Sequence, residues 1–172
     1  MPGQLTQQLV NIALNEVGVH EVGGNNQGPR IREYQLATWL APGAWPWCSA
    51  FTCWCLREWL KSPEVCTALN ITPNTSENWR CRDASAFGWE KWGRQRSLPI
   101  LSNTARAKAG DIVIFDFSHV GFVTVDQKNE KTIATCEGNT NGKGQRDSVT
   151  GDGVWTKVRS RDLVKCYVRI VQ

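Results

Sequence analysis

Several features that would assign a function directly are missing from this 172-residue sequence. No run approaches the ~18 consecutive apolar residues that a membrane-spanning helix needs, so we expect no membrane insertion. The first residues lack the basic start and apolar stretch of a secretory signal, which favours synthesis in the cytoplasm. The Lys and Arg residues form no long basic run, so a nucleic-acid-binding arm is not expected either.

Metal and phosphate chemistry are also poorly represented. Only two His residues are present and no CxxC pair occurs, so we expect no zinc site. The sequence contains no glycine-rich phosphate loop and no serine-nucleophile motif. These absences predict a protein that works with neither a metal nor a cofactor.

Trp and Cys, in contrast, are abundant, at nine and seven residues. An odd number of cysteines leaves at least one thiol unpaired in a monomer. The length fits one domain over residues 1–172, in which the polar residues 62–82 form an insertion. Cys66 and Cys81 flank this insertion, so they are either reduced or joined by a disulfide formed in an oxidising space.

Hydrophobic spacing predicts helices before strands. Helices are expected over residues 5–17, 31–40, 48–60 and 84–92, and strands over residues 112–115, 119–125, 131–137 and 165–171. Helices followed by a run of strands with short turns are typical of an α+β fold with an antiparallel sheet.

Cys48 stands at the predicted start of a helix whose charged residues fall on one narrow stripe, so that helix should be mostly buried. A helix N-terminus favours a thiolate over a thiol, and its free N–H groups can bind an oxyanion. A cysteine nucleophile needs both effects. Cys53 and Cys55 are interpreted instead as small apolar core residues.

His119 and Glu137 are the candidate partners of this sulfur. If strands 119–125 and 131–137 form one hairpin around Lys128 and Asn129, His119 and Glu137 face each other. A carboxylate there would orient the imidazole and favour its protonated form. Asn139, just beyond, could orient the ring instead. Taken singly, His119 could equally be a strand-end histidine and Glu137 a surface acid.

These residues, in this order, resemble the CHAP family of cysteine, histidine-dependent amidohydrolases and peptidases. That family belongs to the papain-like clan that includes NlpC-type cell-wall peptidases. Residues 16–34 and 86–93 resemble a phage- and prophage-associated branch more weakly. The stronger matches are residues 47–51 (WCSAF), 54–56 (WCL), 110–115 (GDIVIF), 119–123 (HVGFV) and 137–141 (EGNTN).

The resemblance implies a papain-like α+β fold with Cys48 as nucleophile, His119 as general base, and Glu137 or Asn139 as the orienting group. It implies bacterial peptidoglycan as substrate, cut at the N-acetylmuramoyl-L-alanine amide or within the stem peptide or cross-bridge. The acidic cluster that holds calcium in some members is missing before Cys48, which again predicts no metal. Flat aromatic side chains suit sugars and peptides, so a substrate groove is predicted from Trp45, Trp47, Trp89 and Trp92.

The predicted biology is a monomeric phage or prophage lytic enzyme that acts on the wall, in the periplasm or outside the cell. A net charge of +4 would help it approach an anionic wall, although the same charge also serves solubility. Three alternatives remain open at this point. They are an amidase toxin delivered into rival bacteria and countered by an inhibitor protein, a papain-like acyltransferase, and a non-catalytic wall-binding virion component.

Overall fold

The computed structural model describes residues 2–143 and 151–171, which form six helices and one six-stranded sheet. Every strand pair is antiparallel, in the order β1-β6-β2-β3-β4-β5. The α+β prediction is therefore confirmed. The helices are α1 (Pro2–Leu14), α2 (Pro29–Gln35), α3 (Cys48–Trp59), α4 (Pro63–Ala68), α5 (Ser76–Trp79) and α6 (Gly88–Gln95). The strands are β1 (Ile100–Ser102), β2 (Ile112–Phe115), β3 (His119–Val123), β4 (Thr132–Thr140), β5 (Gly153–Ser160) and β6 (Val164–Val168).

Helix α3 is the central helix, as its thin polar stripe predicts. Ten of its twelve residues are buried. It packs on α1 and α2 along one side and on β3 and β4 along the other. Close contact with β4 requires Gly138, where an added Cβ would lie 2.6 Å from the Cβ of Phe51.

The sheet is apolar on both faces, which explains why β2 is buried at every position. Side chains alternate along a strand. Val120 and Phe122 of β3 therefore join the core beneath the helices, whereas Val123 joins a smaller cluster with Phe115 and Tyr167 on the opposite face.

The predicted insertion at residues 62–82 contains α4, a short 3-10 turn at Pro73–Thr75, and α5. All seven cysteines are free thiols, so no disulfide closes this segment. The Cys66 thiol instead donates a hydrogen bond to the carbonyl of Leu60, with 3.1 Å between sulfur and oxygen. In the part of the chain that the structure describes, no helix has the length and apolar character needed to cross a bilayer.

Candidate active site

Cys48 is the first residue of α3, and only 6 % of it is exposed. The start of this helix is fixed by Trp47, whose indole N–H donates to the Glu21 carboxylate over 2.8 Å. The carbonyl of Trp47 accepts the first helical hydrogen bond, from the N–H of Phe51. The Cys48 sulfur is thus held at the positive end of a buried helix, as the sequence predicts.

His119 opens β3 and is completely buried. Its ring stacks on Phe115 and Phe117, with centroid distances of 5.8 and 5.7 Å. Its Nε2 lies 2.7 Å from an oxygen of Glu137. Its other nitrogen, Nδ1, forms no well-aligned hydrogen bond with the described residues, so it is the nitrogen that remains available to the Cys48 thiol.

Glu137 reaches His119 by a different register from the one predicted. Val123 pairs with Thr135, and extending this register places Glu137 opposite Gly121 rather than opposite His119. The prediction is therefore wrong by two residues, a shift that keeps every side chain on its face. Since Gly121 has no side chain, Glu137 can cross the open position to the imidazole. A Cβ added at Gly121 would lie 2.6 Å from the Cγ of Glu137.

Arg159 and Thr135 hold the Glu137 carboxylate from behind. Arg159 donates from Nε to one oxygen over 2.9 Å and from its terminal nitrogen to the other over 2.5 Å. The Thr135 hydroxyl donates to the first of these oxygens over 2.5 Å. Together with the contact to His119, these bonds fix both oxygens of a completely buried carboxylate. Neither Arg159 nor Thr135 is among the site residues predicted from the sequence.

The charges of this cluster support one another. Burial alone would lower the pKa of His119, but the negative charge of Cys48, a side-chain hydrogen bond to Cys48, and Glu137 outweigh burial and raise it from 6.5 to about 9. Burial would raise the pKa of Glu137, but Arg159 and His119 lower it to about 2. The arrangement therefore favours a charged imidazole beside the sulfur and an ionised carboxylate behind the ring.

Asn139, the alternative orienting residue, occupies a different position. It is 1 % exposed and its φ is 54°, in the left-handed region that Asn tolerates better than most residues. Its side-chain oxygen has no hydrogen-bond partner among the described residues. The side chain that contacts the His119 ring is thus Glu137.

The four tryptophans predicted to form a groove do not share one environment. Trp47 and Trp89 are completely buried, so neither offers a surface to a substrate, and for these two the groove prediction is wrong. The indole N–H of Trp89 donates to the Ser49 hydroxyl over 2.8 Å. Trp92 is 6 % exposed and borders a cavity beside α6, and only Trp45 is partly exposed.

Chemically, this site can form a thiolate, shuttle a proton on an imidazole, and stabilise an oxyanion at the first N–H groups of α3, which have no intrahelical acceptor. No group of three or more His, Cys, Asp or Glu side chains able to hold a metal ion occurs within residues 2–143 and 151–171.

Comparison with known proteins identifies a family for this region. The family model described as the CHAP domain matches residues 40–139, a region that includes Cys48, His119, Glu137 and Asn139. No curated protein matches the chain. No solved structure matches it either.

Proposed function

The chain belongs to the CHAP family of cysteine- and histidine-dependent amidohydrolases and peptidases, and from this premise we propose that it hydrolyses an amide bond in the peptide part of bacterial peptidoglycan. The observation that supports the proposal is the 2.7 Å contact between His119 Nε2 and Glu137, together with the influence of Cys48, the first residue of α3, on the pKa of His119. Cys48 is the nucleophile, His119 the general acid and base, and Glu137 the group that orients the ring.

The first half of the reaction forms a thioester. The Cys48 sulfur attacks the amide carbonyl, and backbone N–H groups at the start of α3 hold the oxyanion. Protonated His119 then gives its proton to the leaving amine as the carbon–nitrogen bond breaks. Because Glu137 is bonded to Nε2, the proton moves through Nδ1, the ring nitrogen left for the sulfur and the substrate.

The second half releases the acid. Neutral His119 takes a proton from water, the hydroxide attacks the thioester, and the sulfur leaves as a thiolate beside the regenerated imidazolium. Throughout the cycle Glu137 remains ionised, because Arg159 compensates its charge in the core. Arg159 and Thr135 are accordingly positioning residues, which act through Glu137.

The substrate and setting proposed here are those implied by the family resemblance. We propose a monomer that acts on wall peptidoglycan at the N-acetylmuramoyl-L-alanine amide or within the stem peptide or cross-bridge, as a phage or prophage lytic enzyme. The net charge of +4 supports attraction to an anionic wall.

The test is clearing of purified cell walls, followed as loss of turbidity, with mass spectrometry of the released fragments. Wild-type protein is expected to clear walls and create one new kind of amine and carboxyl terminus. Cys48→Ala should lose nearly all activity. Cys166→Ala, which removes a free thiol from β6, is the matched control and should clear walls normally.

Three outcomes would contradict parts of this proposal. Equal clearing by wild type and Cys48→Ala would exclude the thiol mechanism. Wall binding without any new termini would indicate a wall-binding component. Incorporation of an added amine at the cut site, in place of water, would indicate an acyltransferase.

A further inference from the structure

A cavity of about 290 Å³ lies between the inserted segment and α6. The insertion returns through Arg80, Cys81 and Arg82, which line one side, while Lys91 and Trp92 of α6 line the other. Trp39 borders the cavity and is 68 % exposed, a large apolar surface for an indole to leave in water. The cavity therefore has an aromatic rim as well as polar walls.

The charges around this cavity are predominantly positive. Four cationic side chains and two carboxylates line it, and the Glu77 carboxylate is taken up by two hydrogen bonds from Arg80. Arg96 is bonded to backbone carbonyls, one of them that of Asn78, so no carboxylate neutralises it within these contacts. The cavity lining therefore carries a net positive charge.

Arg82 carries a buried nitrogen that no other group in the described structure satisfies. Its Nε is buried and has no hydrogen-bond partner among the described residues. Its charge lies near Glu77, but both oxygens of Glu77 already accept from Arg80. A buried guanidinium nitrogen without an acceptor is costly and rare in folded proteins. A carboxylate bound in the cavity would give the Arg82 guanidinium an anionic partner, since guanidinium groups bind carboxylates through paired hydrogen bonds.

The cavity adjoins the first turn of the nucleophile helix. Asp83, a lining residue, accepts at its backbone carbonyl a hydrogen bond of 2.6 Å from the Ser49 hydroxyl. The same carbonyl lies 3.6 Å from the sulfur of Cys53, one turn further along α3. The cavity therefore lies beside the turn of α3 that begins with Cys48, the residue before Ser49.

We infer that this cavity is a carboxylate-binding subsite, with Arg82 as its specificity-determining residue and Trp39 as its aromatic rim. The inference rests on the proposed function, because the ligand it names is a free carboxylate of the wall peptide, such as that of its D-glutamate or of its C-terminal D-alanine. The subsite selects stem peptides that carry free carboxylates over peptides in which these groups are amidated.

The experiment compares two synthetic peptides by calorimetry on the Cys48→Ala protein, which binds without cutting. One is L-alanyl-γ-D-glutamyl-L-lysyl-D-alanine, and the other is the same peptide with both carboxylates converted to amides. We expect the free acid to bind about tenfold more tightly or better. Adding Arg82→Gln should abolish this preference, whereas adding Lys91→Gln should only weaken it, because Lys91 lies in the exposed part of the lining.

Arg94→Gln is the matched control, since Arg94 lies on α6, pairs with Glu90 and is outside the lining. It should keep the full preference for the acid. Thermal unfolding of each variant separates a lost subsite from a lost fold. Equal binding of the two peptides, no binding of either, or an unchanged preference in Arg82→Gln would overturn the inference.

Wall clearing by the wild-type protein is measured in parallel and keeps the two proposals apart. Clearing without any carboxylate preference would remove the subsite and leave the enzyme. Carboxylate preference without clearing would support the subsite and contradict the proposed reaction.

Discussion

Two arginines, one on each side of the first turn of α3, differ in whether their guanidinium groups have hydrogen-bond acceptors. On the sheet side, Arg159 is fully buried, lies over Phe115 and Phe117, and is bonded twice to Glu137. On the side of the insertion, Arg82 borders an open cavity, and its Nε has no acceptor.

This difference indicates that Arg159 has a structural role within the active site, whereas Arg82 is available to bind a ligand. Arg159 and Glu137 satisfy each other, so their role is to fix the carboxylate that orients His119. The Nε of Arg82 has no acceptor among the described residues, so the partner that we infer for this guanidinium is an anion from outside. The pair should matter for stability and catalysis, and the single arginine for selectivity.

The largest expected effect comes from breaking the buried pair. Arg159→Met removes the guanidinium that is bonded to both oxygens of the buried Glu137 carboxylate, and should lower the free energy of unfolding by about 3–5 kcal/mol. Arg82→Met, which removes an unsatisfied donor, should change it by less than about 1 kcal/mol. Urea unfolding measures both values. Equal losses of stability in the two variants would contradict the different roles given to the two arginines.

A double variant separates stability from catalysis at the same pair. Glu137→Gln combined with Arg159→Met removes both charges and should recover much of the lost stability. It should not recover wall clearing, because the carboxylate that orients His119 is gone. Recovery of both properties would mean that Glu137 acts only in folding.

The next largest effect is expected from filling the gap at Gly121 with a side chain. Gly121→Ala places a Cβ within 2.7 Å of the Cys136 carbonyl and even closer to the side chain of Glu137, so Glu137 must move away from His119. Activity should fall by roughly 10²-fold, since small misplacements of catalytic groups have effects of this size. Gly3→Ala, whose added Cβ meets nothing within 4 Å, is the control and should retain activity.

The titration of His119 tests the charges directly. NMR should find its pKa near 9 in the wild type and lower in Cys48→Ala, because the thiolate charge that opposes burial is lost. A pKa raised on folding stabilises the fold fully below the unfolded value of 6.5, and that contribution is lost as pH rises through about 9. Wild type should therefore lose more stability than Cys48→Ala across this interval. Identical curves would contradict the pairing.

The smallest effect is expected at Asn139. Asn139→Gly keeps the positive φ and removes only the side chain, so it should reduce activity less than Glu137→Gln does. Steady-state rates on one wall-peptide substrate compare the two variants. The reverse order would make Asn139 the orienting residue.

Much of the sheet and the nucleophile helix could be predicted from the sequence, because the spacing of apolar residues indicates both the type of element and its burial. The apolar run of β2 and the thin polar stripe of α3 are examples. The pairing of β3 with β4 depends instead on the turn that joins them, and an error of two residues there leaves the hydrophobic pattern unchanged.

Strand β5 and the role of Arg159 could not be predicted, because in this strand an apolar side chain is exposed and a charged side chain next to it is buried. Val158 is 62 % exposed, whereas Arg159 is fully buried. The usual hydrophobic pattern of a strand has the charged residue in solvent and the apolar residue in the core. The carboxylate of Glu137, more than twenty residues earlier in the chain, accepts two hydrogen bonds from Arg159 and makes its burial favourable.

The pairing of Cys48 with His119 is tested most directly by the alkylation rate of each cysteine by iodoacetamide at neutral pH, measured by peptide mass spectrometry. All seven thiols are buried, but Cys48 alone begins α3 and lies beside His119. We therefore predict that Cys48 reacts at least about tenfold faster than the six other thiols, and that His119→Gln removes this advantage. If Cys48 reacts no faster than the other thiols, or keeps its advantage without His119, the sulfur and the imidazole do not work as a pair.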